Sequence, residues 1–282
     1  MNDKELKKTN HEYWGKRSLS YSDVNKEELL GIQHKKWQFF LDEEIQKIYH
    51  GMRQDISILD IGAGPGFISI ILSELGYKVT AADFSKEMLT AAEKNYRAAV
   101  RSENMNQADG AEGCGFYGGC GREFDWTIEF RIEDAMNLSF PDESFDVVFS
   151  RNLTWNLTNP EKAYREWIRV LKKGGCLLVF DANWYAFLRD EEKRREYEED
   201  RKNVAAKGME DYNIGENFYV MDEIADRLPL TGAARPKWDI DLLKGLGIEE
   251  VTADTDVGTV VYSEKELINY ASTPLFMVKA VK

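Results

Sequence analysis

The chain has 282 residues, of which 43% are hydrophobic and 12% aromatic, so it can bury a large core and is not disordered throughout. Its 37 basic and 50 acidic residues give a net charge of −13, which repels polyanions and argues against a nucleic-acid partner. No apolar run reaches the roughly 18 residues of a membrane span, and the N-terminus has no secretion-signal pattern, so we expect a cytoplasmic protein with no membrane partner.

Residues 1–50 are predicted to form helices that precede the first strand and are rich in Trp and Lys. Tyr13, Trp14 and Tyr21 lie among many polar residues. The segment has too few apolar side chains to form a core of its own. This segment must therefore pack on the structure that follows it.

From residue 56 onward, short β-rich runs alternate with helical patterns, which is typical of a doubly wound parallel sheet. The predicted strands are each apolar on both faces or nearly so, and they cover residues 56–61, 78–83, 127–132, 145–150 and 176–181. Two further strands are predicted at residues 247–253 and 275–281.

The helices between these strands have recognisable ends. Gly76 is placed to end the first helix, and Ser85 can cap the start of the second. Asn159 and Pro160 mark the start of a helix that residues 172–174 are predicted to end, and Ser263 opens a capping box near the C-terminus.

Two segments interrupt the alternation of strands and helices. Residues 101–125 carry six glycines and little periodicity, which predicts a mobile surface insertion. Residues 184–240 contain a charged helix at 189–202, whose charges indicate a solvated face, followed by an irregular stretch with aromatic residues.

A glycine-rich loop gives the strongest functional signal. Gly62, Gly64 and Gly66 follow the first strand directly, and a helix opens after them. Their G-x-G-x-G spacing differs from the G-x-G-x-x-G of dinucleotide-binding proteins. Asp83 ends the next strand, where a carboxylate can accept hydrogen bonds from both hydroxyls of a ribose. A simple tight turn is the alternative for the glycines alone, but the acid beside them favours a ligand site.

Residues 56–183 resemble the class I S-adenosylmethionine-dependent methyltransferases. Besides the loop, the resemblance rests on residues 133–135, 139–153 and 170–179, which lie around the third, fourth and fifth strands. It implies S-adenosyl-L-methionine as cofactor and S-adenosyl-L-homocysteine as product.

The resemblance also implies which residues bind the cofactor. The glycine loop would hold the methionine portion, with Asp60 orienting it; Asp83 would bind the ribose, and Phe84 and Asp134 would contact the adenine. The expected cofactor-binding residues are Tyr21, Asp60, Gly62, Ala63, Gly64, Gly66, Asp83, Phe84, Met88, Glu133, Asp134, Ala135 and Arg151.

The acceptor pocket is expected at the end of the fourth strand, where members of the family face the methyl group. Asn152, Trp155 and Asn156 are the candidate catalytic residues, with a role in acceptor positioning; core packing for Trp155 and a turn cap for Asn156 are the alternatives. Further aromatic residues could line the acceptor site or pack the subdomain around them: Trp184, Tyr185, Phe218, Tyr219 and Trp238.

The resemblance implies a Rossmann-like α/β fold with a doubly wound, mostly parallel, seven-stranded sheet. We expect an N-terminal helical lid and an inserted helical cap on this fold. The predicted segments are the lid at 1–50, the cofactor-binding core at 51–183, the substrate cap at 184–240 and the end of the core at 241–282.

We interpret the chain as an S-adenosylmethionine-dependent methyltransferase (EC 2.1.1.-) acting on a small molecule, as a monomer or homodimer. A non-catalytic S-adenosylmethionine-binding protein and an aminopropyltransferase of the same fold remain alternatives, whereas an NAD-dependent oxidoreductase would favour the longer glycine spacing. Cys114 and Cys120 are spaced too widely for a usual zinc knuckle, so no metal is expected. His11, His34 and His50 are dispersed and are predicted to be surface or packing residues.

Overall fold

The computed structural model describes residues 3–108, 127–214 and 218–282. Most of the predicted insertion at 101–125, including Cys114 and Cys120, therefore lies outside the described residues. Its predicted start is wrong, because residues 101–108 continue the preceding helix. The physical reason is that all six glycines of the insertion follow residue 108, so nothing before that point interrupts the helix.

A seven-stranded sheet forms the centre of the structure. Its strands are β1 (Ser57–Ile61), β2 (Lys78–Asp83), β3 (Ile128–Ile132), β4 (Phe145–Arg151), β5 (Leu171–Asp181), β6 (Glu250–Asp254) and β7 (Phe276–Val281). Their order is β3-β2-β1-β4-β5-β7-β6, and β7 alone runs in the direction opposite to the other six described strands. This confirms the predicted fold class. Because the strand order reverses between β1 and β4, a crevice forms at their carboxyl ends.

Two details of the predicted strands differ from the structure. β3 is largely exposed, and the Ile132 side chain is 61% accessible, so the prediction that this strand is buried on both faces is wrong. The reason is its position at the edge of the described sheet, where only β2 pairs with it among the described strands.

The second difference concerns the start of β5. The preceding helix ends at Val170, and residues 172–174 belong to the strand, so the predicted helix end is wrong. Residues 172–175 bulge outward, because the register with β4 passes from Leu171 directly to Cys176. The bulge is held by Lys172 Nζ, 2.8 Å from the Asp146 carboxylate, and by the Gly174 N–H, which donates to the Lys282 carbonyl.

Helices cover both faces of the sheet. They are α1 (Asp3–Leu30), α2 (Ile32–Gln46), α3 (Phe67–Glu74), α4 (Lys86–Ala108), α5 (Pro160–Val170), α6 (Glu191–Ala206), α7 (Phe218–Ala225), α8 (Lys237–Gly245), α9 (Val257–Val261) and α10 (Glu264–Asn269). The predicted caps are confirmed: Ser85 Oγ accepts from the Met88 N–H, Asn159 caps α5, and Ser263 forms a capping box with Glu266.

The stretch after α6 is more regular than the sequence suggested. The prediction that it is irregular is wrong, since α7 and the start of α8 lie within it. Met221, Ile224 and Ala225 recur at helical spacing and are buried, which gives α7 one apolar face. That face packs with Leu6 and Tyr13 of α1 and with Trp155.

A buried ion cluster joins this region to the sheet. Arg235 is 1% exposed, and its guanidinium lies 2.6 Å from Asp181 at the end of β5 and 2.8 Å from Asp239 of α8. Tyr164 of α5 donates to the same Asp239 carboxylate at 2.6 Å. Burying one cation against two carboxylates links residues 235–239 firmly to the core.

Replacing Arg235 by methionine should destabilise the fold strongly, because Asp181 and Asp239 would stay buried without their cation. We expect a loss of about 3–5 kcal/mol in the free energy of unfolding, measured by urea denaturation. Lys237→Met, which removes an exposed ion pair with Asp241, should change the midpoint little. An Arg235→Met midpoint close to that of the wild type would show that the cluster does not hold the fold together.

Candidate active site

The glycine loop after β1 is packed too tightly for other residues. Gly62 has φ +75°, and a Cβ there would lie 2.7 Å from Leu153 Cδ2. Gly66 has φ +91°, and its Cβ would meet Ala92 at 3.0 Å. The N–H groups of Gly62 and Ala63 both donate to the Ala82 carbonyl of β2, at 2.8 and 3.0 Å. The loop is thus fixed at the carboxyl edge of the sheet.

Asp83 joins this loop to the end of β2. Its carboxylate accepts hydrogen bonds from the Gly64 N–H at 3.0 Å and the Ser85 N–H at 2.9 Å. Burial raises the pKa of Asp83 to about 6. Because each carboxylate oxygen has two lone pairs, the group can still accept hydrogen bonds from a ligand in the crevice.

The crevice has two adjoining cavities, which share Gly62, Asp83, Phe84, Leu153 and Asn156. The larger one, here called the aromatic cavity, has a volume of about 230 Å³. Its aromatic walls are Trp14, Tyr21, Phe84, Trp155, Trp184, Tyr185, Phe187, Tyr197, Phe218 and Tyr270. The smaller one, the narrow cavity, has about 30 Å³ and lies between α1 and residues 133–136.

Most of the sequence-predicted site residues come together here. The aromatic cavity is lined by Tyr21, Gly62, Gly64, Asp83, Phe84, Met88, Arg151, Asn152, Trp155 and Asn156. The narrow cavity is lined by Glu133, Asp134 and Ala135. Asp60, Ala63 and Gly66 are absent from both linings.

Asp60 lies behind the loop. Its side chain is buried and accepts a hydrogen bond from the Ser69 hydroxyl of α3. Burial raises the pKa of Asp60 to about 7, and the nearby Asp83 carboxylate adds to the effect. From this position Asp60 supports the start of α3 beneath the glycine loop.

Helix α1 forms one wall of the narrow cavity through Lys7, Asn10 and His11. The His11 imidazole stacks on Phe84 with ring centroids 3.8 Å apart, and Lys7 Nζ lies 2.5 Å from the Asp134 carboxylate. Burial lowers the pKa of His11, and Lys7 adds to this, so the stacked ring is favoured in its neutral form. The sequence indicated only a surface or packing role for His11, because the distant Phe84 could not be paired with it beforehand.

A buried ion pair lies beside the aromatic cavity. The Arg151 guanidinium is 2.5 Å from the Glu28 carboxylate of α1, and it stacks over the rings of Trp37 and Phe67. Sequence analysis missed Glu28, since the two residues are 123 positions apart. The positive charge of Arg151 is therefore balanced within the chain.

Two tryptophans in the cavity wall are held by Asp181. Its carboxylate accepts from the Trp155 backbone N–H at 2.9 Å and from the Trp184 indole at 3.2 Å. The Trp155 indole itself donates to the Asn152 carbonyl at 3.0 Å. Asp181 was also missed, although it is an acid at the end of a buried strand, the same signal that identified Asp83.

The remaining aromatic candidates divide into two groups. Trp184, Tyr185 and Phe218 line the aromatic cavity. Tyr219 is 65% exposed, and Trp238 packs against Tyr164 in the core instead.

Neither a metal centre nor a membrane span is found in the parts of the chain that the structure describes. No three His, Cys, Asp or Glu side chains within residues 3–108, 127–214 and 218–282 are grouped to hold a metal ion. Over the same ranges, no helix is both long and apolar enough to cross a bilayer.

Known proteins are similar in sequence to the part of the chain that contains this site. Residues 59–179 match a family described as a methyltransferase domain. A phosphatidylethanolamine N-methyltransferase of Cereibacter sphaeroides is 32% identical over 122 residues, 43% of this chain and 48% of that protein. A ubiquinone/menaquinone biosynthesis C-methyltransferase of Hahella chejuensis is 30% identical over 167 residues, 58% of this chain and 55% of that protein. The chain thus spans about half the length of these two relatives.

A solved structure extends the likeness in fold to nearly the whole chain. A candidate S-adenosyl-L-methionine-dependent methyltransferase from Methanococcus maripaludis aligns with a TM-score of 0.51 at 20% identity, over 94% of this chain and 92% of that one. The residues that match the methyltransferase domain, 59–179, include the glycine loop, Asp83 and the end of β4. Residues 59–179 of this chain thus match a methyltransferase domain, and the chain as a whole shares the fold of that solved structure.

Proposed function

We propose that this protein transfers a methyl group from S-adenosyl-L-methionine to a small-molecule acceptor held in the aromatic cavity. The observation that carries this proposal is that the glycine loop and Asp83 line the same cavity as the aromatic residues. A cofactor at the loop would thus share one crevice with the acceptor. In this proposal, α1 and α2 form a lid and residues 184–240 form a cap on the acceptor.

The residues of the crevice suit the cofactor chemically. Asp83 would accept the ribose hydroxyls, Gly62 and Gly64 would border the methionine portion, and Phe84 with Asp134 would bind the adenine. Asn156 Oδ1 is buried and has no hydrogen-bond partner among the described residues, so it is available to a ligand. The adenine portion has room only after His11 moves, because the narrow cavity of about 30 Å³ holds only about two water molecules.

The protein's part in the reaction is mainly positioning. The cofactor supplies a methyl group on a positively charged sulfur, which is already a good leaving group. Asn152, Trp155 and Asn156 would hold the acceptor beside it, since in-line displacement depends on close approach of the two reacting atoms. The aromatic walls exclude water, which favours a reaction whose charge disperses in the transition state.

The names of the relatives do not agree on one methyl acceptor. One of them acts, by its name, on phosphatidylethanolamine nitrogen and another on a carbon atom in quinone biosynthesis. Neither name indicates a protein or a nucleic acid as acceptor, which supports a small-molecule acceptor here.

The proposed activity is tested by incubating the protein with S-adenosyl-L-methionine and a cellular metabolite extract. We expect release of S-adenosyl-L-homocysteine, and its loss in Asp83→Ala, which should weaken cofactor binding by about 2–4 kcal/mol in calorimetry. Asp241→Ala, an exposed acid far from the crevice, is the control.

Each alternative has its own outcome in this assay. Cofactor binding without turnover would indicate a binding protein, and turnover only with the decarboxylated cofactor would indicate an aminopropyltransferase. Equal affinities of the Asp83→Ala variant and the wild type would contradict the proposed site.

His11→Ala should tighten the binding of S-adenosyl-L-homocysteine. In the structure His11 covers the ring of Phe84, and a stacked aromatic pair contributes about 0.5–1.5 kcal/mol, so we expect a two- to tenfold lower dissociation constant. Glu12→Ala, its exposed neighbour on α1, is the matched control. Weaker binding in His11→Ala would mean that His11 supports the cofactor rather than competing with it.

A further inference from the structure

Asp222 is the acidic group in the aromatic cavity that neither the fold nor the proposed cofactor site accounts for. It lies on α7, and its half-buried side chain lines the cavity together with Tyr185, Phe187 and Tyr197. Its negative charge is close enough to raise the pKa of Tyr185 and Tyr197. Burial in turn raises the pKa of Asp222 itself.

Two cations near the cavity, Arg151 and Arg17, form no ion pair with this carboxylate. Arg151 also lines the cavity, but it is paired with Glu28 at 2.5 Å. The Arg17 guanidinium lies over the Phe218 ring, 4.9 Å from its centroid, and makes no ion pair with Asp222. Within residues 3–108, 127–214 and 218–282, the Asp222 carboxylate therefore has no ion-pair partner.

An unpaired carboxylate among aromatic rings favours a cationic ligand. The carboxylate offers a charge-assisted hydrogen bond to an ammonium group, and the faces of Trp, Tyr and Phe rings attract a cation electrostatically. A neutral phenol, thiol or carbon acid would leave the negative charge without compensation in a partly dehydrated site.

We propose that the acceptor is an organic amine whose ammonium group binds Asp222 within the aromatic cavity. This inference rests on the proposed function and names its substrate class. Asp222 acts as the specificity-determining residue, because it distinguishes an ammonium group from a hydroxyl group of the same size. The aromatic walls contact the rest of the amine.

The transfer balances in atoms and charge. The ammonium first releases one proton, which passes to solvent by way of the Asp222 carboxylate. The free nitrogen lone pair then forms the new N–C bond to the methyl carbon, while the C–S bond breaks and its electron pair stays on sulfur. The products are a methylated ammonium, a neutral thioether and one proton.

The inference is tested by the binding of matched amines and alcohols to the full chain saturated with S-adenosyl-L-homocysteine. The pairs are phenethylamine with phenethyl alcohol, tyramine with tyrosol, and tryptamine with tryptophol, each measured by calorimetry at pH 7.5. We expect at least one amine to bind tenfold or more tightly than its alcohol. Asp222→Asn should abolish that preference, whereas Glu223→Gln, which changes the adjacent exposed acid on α7, should keep it.

The outcomes separate this inference from the proposed function. If the alcohols bind as tightly as the amines, if no member of the three pairs binds, or if the preference survives Asp222→Asn, the amine assignment is overturned. In each of these cases, tight binding of S-adenosyl-L-homocysteine to the wild type and to Asp222→Asn would leave the cofactor site intact. Failure of S-adenosyl-L-homocysteine to bind the wild type would instead overturn the proposed function.

Discussion

The Arg235 side chain is almost wholly buried, so its charge has to be matched inside the protein. Asp181, at the end of β5, supplies part of the compensating negative charge. The same carboxylate accepts hydrogen bonds from the Trp155 backbone N–H and the Trp184 indole. Two walls of the aromatic cavity, Trp155 and Trp184, are therefore held by the end of a sheet strand. Placing functional side chains on such a scaffold keeps their geometry well defined.

Helix α1 is the second constraint on the site. It contributes Trp14 and Tyr21 to the aromatic cavity, Glu28 to the pair with Arg151, and Lys7 and His11 to the narrow cavity. Most of these contacts are polar or aromatic, and few involve the buried apolar side chains that pack between the sheet and its helices. A helix held in this way can exchange its contacts for those of a ligand without disturbing the core.

Much of the architecture could be predicted from local patterns in the sequence. Apolar runs predicted the strands, and cap residues such as Ser85 and Asn159 predicted where helices start. The glycine loop together with Asp83 predicted the position of the crevice. Contacts between distant segments were the parts that could not be predicted. Glu28 pairs with Arg151, 123 residues away, and Arg235 reaches the sheet through Asp181, 54 residues away, so neither contact has a local signal in the sequence.

The errors have similar physical causes. The bulge at the start of β5 depends on pairing with β7 at the far end of the chain, and the helical state of α7 depends on its apolar face meeting α1 and Trp155. The stacking of His11 on Phe84 agrees with the predicted surface or packing role, but its partner depends on the tertiary position of α1. In each of these cases, tertiary contacts determined the local structure, and the local sequence pattern alone did not predict it.

The central claim is that the crevice at the ends of β1, β2 and β4 is a cofactor site which α1 partly fills. A crystal structure of the protein with S-adenosyl-L-homocysteine tests it most directly. The account predicts the ribose hydroxyls on Asp83, the adenine ring on Phe84 and near Asp134, and His11 displaced from its stacked position. A ligand bound outside this crevice, or one that leaves Asp83 without contact, would contradict it.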